Sequence, residues 1–159
     1  MIDKDGYRYN VGIIISNNIG QLLLAKRCRR KHAWQFPQGG MRDSEKPEEA
    51  MYRELTEELG LLPESVNIIS ETKQWYSYRL PIGYWRLDSE PLVVGQKQKW
   101  FLLKLLVPDT AIDLDYTSKP EFDAWEWVNY WEPLNRVIDF KKDVYQSVLT
   151  EFEPIIQAE

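Results

Sequence analysis

Short apolar runs along the chain have the length and composition of β-strands. They lie at 11–16, 22–26, 33–36, 66–73, 75–80, 100–107 and 126–130, and those at 66–73, 75–80 and 100–107 contain β-branched or aromatic residues. The first two flank the turn-forming sequence Asn17-Asn18-Ile19-Gly20, which predicts a β-hairpin. The run at 100–107 is the most apolar, so we expect it at the centre of a sheet.

Two segments have helical periodicity instead. Pro47 suits the first turn of a helix, apolar residues then follow at three-to-four spacing, and Gly60 suits a left-handed cap, which together predict a helix over 47–59. Val144, Val148 and Phe152 predict an amphipathic helix near the C-terminus. Residues 81–97 are punctuated by Pro and Gly and predict a loop, either a substrate-binding element or a variable connection.

This order of elements predicts an α/β fold, a sandwich in which helices flank a curved mixed sheet. At 159 residues, with 43% hydrophobic residues, we expect one domain over 1–159. No apolar run approaches the roughly 18 residues of a membrane span, and the first residues do not resemble a secretion signal. The single cysteine, Cys28, excludes an intrachain disulfide. We therefore expect a cytoplasmic protein with no membrane and no disulfide partner.

Charge is concentrated in two segments of opposite sign. The formal net charge is −5, and residues 42–58 contain seven acids against three bases. Upstream, five of the six residues at 26–31 are cationic. The net charge argues against nonspecific coating of nucleic acid. The two segments indicate either a polyanion held near metal ions or two solvated charge runs.

Three glutamates of the predicted 47–59 helix share one face. Glu54, Glu57 and Glu58 stand at i, i+3 and i+4, so their carboxylates repel one another unless they are fully solvated or bind cations. Mg²⁺ prefers oxygen ligands and keeps positions open for phosphate oxygens. The pattern is compatible with a phosphate-processing metal site, and a solvated acidic face is the alternative.

The surroundings of these glutamates match a known signature. Gly39, Glu45 and the run Arg53-Glu54-Leu55-Thr56-Glu57-Glu58-Leu59-Gly60-Leu61 have the residue types and spacing of the Nudix box, so the chain resembles the Nudix hydrolase family. The resemblance implies a Nudix-type α/β/α sandwich that cleaves phosphoanhydride bonds with Mg²⁺ or Mn²⁺, and more than one ion. It makes Glu54, Glu57 and Glu58 catalytic metal ligands and the Gly39 carbonyl a further ligand. Glu45, Arg53 and Gly60 become structural, Glu45 and Arg53 as an ion pair.

Five segments outside the box resemble one group within the family, the bacterial RNA pyrophosphohydrolases. They are Ile2-Asp3 with Gly6-Tyr7-Arg8, Trp34 to Gly40, Gly95 to Phe101, Pro120 to Asp123, and Phe140 to Tyr145. The implied activity converts 5′-triphosphorylated or diphosphorylated RNA to 5′-monophosphorylated RNA, which initiates mRNA decay. A hydrolase of dinucleoside polyphosphates, such as diadenosine polyphosphates, is the alternative. A non-catalytic nucleotide or RNA sensor is a third, although all the box acids are present.

The same resemblance assigns roles outside the box. Glu121 becomes a fourth acidic metal ligand or the general base, a role for which Glu57 is the other candidate. Arg8, Arg27 and Lys141 become phosphate or RNA contacts, and Ile138 and Phe140 become part of a base-binding pocket. The stretch at 28–33 is longer and more basic than is usual in this group.

Overall fold

A computed structural model of the chain describes residues 1–29, 33–85 and 92–158. Part of the basic segment, at 30–31, and part of the predicted loop, at 86–91, lie outside the described residues. The strands are β1 Tyr7–Ser16, β2 Leu22–Arg27, β3 Trp34–Gln35, β4 Gln38–Gly40, β5 Val66–Glu71, β6 Tyr76–Arg79, β7 Gly95–Leu105 and β8 Phe122–Val128. The helices are α1 Pro47–Leu59, α2 Pro133–Arg136 and α3 Lys142–Gln157.

The described strands form one mixed sheet around the parallel pair β1 and β7. β1 lies along one edge of β7, and β5 and β6 pair antiparallel with the other edge. These neighbours on both sides confirm the predicted central position of β7. β1 pairs with β4 through Asn10–Gly12, and with β2 only at its end, where Ser16 meets Leu22. The predicted hairpin is therefore present, but its strands diverge beyond the turn and leave room for β4.

Alternate residues of the central strands feed two separate cores. Val11, Ile13 and Ile15 of β1 pack with Met51 and Leu55 of α1 on one side of the sheet. Ile14 of β1 packs on the other side, with Trp100 of β7 and with Val148, Leu149 and Phe152 of α3. A sheet buried between helices on both sides confirms the predicted α/β fold class.

Several boundaries differ from those expected. β1 begins at Tyr7, β7 begins at Gly95 inside the predicted loop, and β8 covers Phe122–Val128. β4 and α2 have no counterpart in the predicted elements, because Gln38-Gly39-Gly40 and a four-residue helix carry almost no local signal. β4 is a strand because β1 offers it backbone partners. Helix α1 has the bounds expected from its proline, its periodicity and its glycine cap.

No helix in the described ranges is long and apolar enough to cross a bilayer.

Candidate active site

Helix α1 brings three carboxylates together on one face. Single oxygens of Glu54, Glu57 and Glu58 all lie within 4.8 Å of one another. Glu54 is buried, with 8% of its surface exposed, and the other two are half-buried. The helix holds this spacing because Pro47 occupies its first turn and Gly60, at φ 67°, closes its last turn.

Strand β4 brings its backbone against this face of the helix. Gly39 pairs with Val11, and a Cβ added at Gly39 would overlap the carboxyl group of Glu54. Only glycine permits this approach. Its neighbours lie on the opposite face of the strand, where Gln38 lines a cavity and Gly40 packs against the guanidinium of Arg8. The Gly39 backbone therefore borders the carboxylates.

Arg53 joins the loop before α1 to the helix. Its Nε lies 2.8 Å from Glu45 Oε2, and its Nη2 donates to Glu45 Oε1 at 2.9 Å and to the Gly40 carbonyl at 2.8 Å. Its Nη1 donates to Glu54 Oε1 at 2.9 Å. Hydrogen bonding to Arg53 lowers the pKa of Glu45 to about 2. Arg53 thus links one carboxylate of the cluster, Glu54, to the backbone of β4.

Two of the three carboxylates, those of Glu54 and Glu58, are harder to ionise than a free glutamate. Burial raises the pKa of Glu54, against the hydrogen bond from Arg53. Burial, followed by the charges of Glu54, Glu121 and Glu57, raises the pKa of Glu58 to about 8. Converging carboxylates suit a divalent ion, which would offset their repulsion. Glu54, Glu57, Glu58 and the Gly39 carbonyl are the groups that would hold it.

Glu121 and Arg27 meet beside the cluster. Arg27 Nε lies 3.2 Å from Glu121 Oε1, and the Cys28 amide donates to the Glu121 carbonyl at 2.9 Å. The charge of Glu121 acts on Glu58, so the loop before β8 does bring this acid towards the box helix. The structure therefore places Glu121 near the acids of α1, and pairs it with a residue that the sequence assigned to RNA.

A cavity of about 580 Å³ opens on the other side of β4. Arg27, Ile138, Phe140 and Lys141 line it, as does Gln38. The Phe140 ring centroid lies 5.2 Å from that of Tyr84 and 5.8 Å from that of Tyr78. Ile138 is 44% exposed, whereas Lys141 is buried and its Nζ lies 3.3 Å from Gln35 Oε1. Aromatic walls with buried polar groups suit a nucleobase.

Sequence reasoning missed part of this cavity. Tyr78, Tyr84, Trp34 and Arg136 also line it, and the Arg136 guanidinium lies 4.6 Å from the Trp34 ring centroid. These residues come from four separate segments with no shared spacing, so no local pattern could have grouped them. A second cavity, of about 520 Å³, lies beside the Asn17–Gly20 turn and Trp131. The carboxylate cluster does not line it.

Comparisons with known proteins agree with this geometry. The NUDIX domain model matches residues 6–148. An RNA pyrophosphohydrolase of Shewanella pealeana is 57% identical over 96% of this chain and 87% of its own length. One from Shewanella woodyi is 56% identical over 97% of this chain and 88% of its own.

Solved structures give the same fold at lower identity. A Caenorhabditis elegans Ap4A hydrolase complex has a TM-score of 0.68 at 21% identity, over 96% of this chain and 99% of that one. The Escherichia coli dihydroneopterin triphosphate pyrophosphohydrolase has a TM-score of 0.72 at 17% identity, over 91% and 98%. The box helix, the glycine strand beside it and the matched family model lead to one conclusion: this chain belongs to the Nudix hydrolase family.

Proposed function

We propose that this chain is an RNA pyrophosphohydrolase that removes pyrophosphate from 5′-triphosphorylated RNA, or phosphate from diphosphorylated RNA. The observation that carries the proposal is the position of β4, which has the carboxylate cluster against Gly39 on one face and the aromatic cavity beside Gln38 on the other. A substrate that carries a polyphosphate and a base would lie across β4, with the polyphosphate at the carboxylates and the base in the cavity. Identity of 57% to a protein of that activity over nearly the whole chain supports it.

The reaction replaces a phosphoanhydride bond with a bond from phosphorus to a water oxygen. Pyrophosphate leaves, the RNA keeps a 5′-monophosphate, and one proton passes from water to a carboxylate. Glu57 and Glu121 are the candidates for that base. When bound, Mg²⁺ or Mn²⁺ would neutralise part of the phosphate charge and would make the attacking water more acidic.

The remaining polar groups bind and orient the substrate. Arg8 lies against Gly40 and its charge acts on Glu54, and Arg27 lines the cavity next to Glu121. The buried Lys141 adds a positive charge inside the cavity. We assign phosphate and RNA contacts to these three, and stacking against a base to Phe140 with Ile138 beside it.

The proposal includes the setting of the reaction. We infer that the enzyme uses more than one divalent ion, because three acidic ligands and a backbone carbonyl exceed the one or two carboxylates that a single Mg²⁺ usually takes. We place it in the cytoplasm, where a 5′-monophosphate on RNA would initiate mRNA decay.

The test is hydrolysis of a short 5′-triphosphorylated RNA by the full chain. We expect release of pyrophosphate and a 5′-monophosphorylated product with Mg²⁺, loss of activity with EDTA, and recovery with excess Mg²⁺. Diadenosine tetraphosphate is the competing substrate. A larger kcat/KM for it would favour the dinucleoside polyphosphate alternative, and RNA binding without turnover on either substrate would indicate a sensor.

A further inference from the structure

The side of the sheet that carries α1 is only partly covered by that helix. In the described part of the chain α1 packs against β1 and β4. Beyond it, β6, the outer half of β7 and the start of β1 present aromatic and cationic side chains. We call this surface the open face and define it by Tyr9, Trp75, Arg79, Trp85, Lys97 and Lys99.

Strand register puts these side chains on one side. Lys97 pairs with Tyr9 of β1 and with Ser77 of β6, and Arg79 lies two residues beyond Ser77, opposite Gly95. Alternate residues of a strand share a face, so Lys97, Lys99 and Tyr9 point to the same side as Arg79. Gln96, between them, points to the cavity instead.

Rings and cations alternate across the open face. The Tyr9 and Trp75 ring centroids lie 5.2 Å apart at 81°, and Lys97 Nζ lies 5.5 Å from the Tyr9 centroid. At the other end, Arg79 Cζ lies 5.3 Å from the Trp85 centroid. Trp75 is 36% exposed, and Arg79 is exposed.

Among the described residues, one of the three cations that define the open face is paired with a carboxylate. Asp3 pairs with Lys97 at 2.7 Å, but Lys99 Nζ donates to the Thr72 carbonyl at 2.7 Å. Within the described ranges neither Lys99 nor Arg79 forms an ion pair with a carboxylate. Lys99 and Arg79 are the two cations of the open face that we expect to meet phosphates.

The open face adjoins the candidate active site at both ends. Trp85 follows Tyr84, which lines the cavity, and the Trp85 Nε1 donates to the carbonyl of cavity-lining Leu80 at 2.8 Å. At the other end, Tyr9 is two residues before Val11, which pairs with Gly39. A chain leaving the cavity past Tyr84 meets Trp85 next.

We propose that the open face binds the single-stranded RNA that follows the 5′ end, with bases stacked on Trp85 and Trp75 and phosphates near Arg79 and Lys99. Aromatic rings interleaved with cations bind unpaired nucleic acid in a sequence-tolerant way. This inference rests on the proposed function, because it extends the same substrate. It makes affinity depend on RNA length, whereas the chemistry concerns only the first nucleotides.

The experiment separates binding from chemistry. Anisotropy measures binding of a 5′-hydroxyl RNA dodecamer, which has no scissile bond, and a second assay measures hydrolysis of a triphosphorylated dinucleotide. We expect Trp75→Ala and Arg79→Ala each to weaken dodecamer binding about tenfold. Arg79→Ala should also reduce the salt dependence of log K by about 0.7, the value of one phosphate contact. Dinucleotide kcat/KM should stay within about twofold of the wild type, because neither residue lies in the cavity or the carboxylate cluster.

Matched controls come from the opposite end of the sheet. Trp131 is 37% exposed and Lys104 lies beside it, so Trp131→Ala and Lys104→Ala remove the same groups elsewhere. The inference is overturned if dodecamer affinity falls equally in the controls, or if it is unchanged in both test variants. It is also overturned if the test variants lose dinucleotide hydrolysis to the same extent as dodecamer binding. A different result would contradict the proposed function instead. In that case the wild-type protein binds the dodecamer, the Trp75 and Arg79 variants bind it more weakly, and the wild type does not hydrolyse triphosphorylated RNA.

Discussion

The Nε atom of Arg27 lies 3.2 Å from Oε1 of Glu121, so a cation assigned to RNA and an acid assigned to metal or catalysis form one ion pair. Both side chains are more than a third exposed, so the pair itself contributes little stability. Its importance is positional, because Arg27 lines the cavity and Glu121 acts on Glu58. The pair connects the two halves of the candidate site.

Replacing Arg27 with alanine should weaken substrate binding more than it slows chemistry. The lost charge-assisted contact to phosphate predicts a rise in KM of about tenfold with a smaller change in kcat. Steady-state kinetics on triphosphorylated RNA measure both constants. Lys142→Ala, which removes an exposed cation paired with Asp139, is the control. A fall in kcat at unchanged KM would show that Arg27 acts in the chemical step.

Glu57→Gln keeps the size of the side chain and removes its charge. Since Glu57 is a candidate metal ligand and base, we expect turnover to fall by roughly three orders of magnitude while the fold is kept. Pyrophosphate release and circular dichroism report the two properties. Exposed Glu64→Gln should behave like the wild type. Normal turnover in the Glu57 variant would remove this residue from the site.

Gly39→Ala should damage the site through sterics alone. The new methyl group would overlap the Glu54 carboxyl, so either this side chain must leave its position or β4 and α1 must separate, and activity should fall at least about tenfold. Gly83→Ala is the matched control, because its methyl group would meet no atom of the described residues within 4 Å. Equal activity in the two variants would mean that the Gly39 contact is not needed.

The ion pair between Glu45 and Arg53 leads us to expect that the protein loses stability as the pH falls. Arg53 lowers the folded-state pKa of Glu45 from 4.5 to about 2. The interaction therefore stabilises the protein above about pH 4.5, and its contribution is lost as pH falls towards 2. Urea unfolding should show Glu45→Gln less stable than wild type at about pH 6, with the difference shrinking at about pH 3. A difference that is constant with pH would mean that charge is not its cause.

Phe140→Ala should impair recognition of the base near the 5′ end. Its ring packs beside Tyr84 at the cavity, and loss of one stacking partner is worth about 1–3 kcal/mol. We expect the affinity for triphosphorylated RNA to fall about tenfold or more, and inorganic triphosphate binding to stay unchanged. Isothermal titration of both ligands measures this. Weaker triphosphate binding would indicate that the substitution disturbs the carboxylate cluster.

Local signals determined how much of the molecule could be predicted. Helix α1 could be predicted to the residue, because its proline, its apolar spacing and its glycine cap all lie within 47–60. The closeness of Glu54, Glu57 and Glu58 follows from helix geometry alone. β4 could not be predicted, since its strand conformation depends on pairing with a segment about 28 residues earlier.

Contacts between distant segments of the chain could not be predicted from the sequence either. Arg27 and Glu121 belong to segments far apart in the chain, and no periodicity links them. The open face requires the register of β1, β6 and β7, which no local sequence pattern encodes. The roles of the individual site residues remain predictions for the variants above.

The three residues of β4 have one more implication, for how this enzyme can change over time. Gln38 borders the cavity while Gly39 borders the acids, so the proposed base-binding site and the proposed hydrolytic site lie on opposite faces of one strand. If the proposed function holds, we therefore expect substitutions at Ile138 or Tyr84 to change which RNAs are preferred and to leave the carboxylate cluster unaltered. A slip of one residue in the β1–β4 pairing, by contrast, would exchange the two faces and abolish both properties at once.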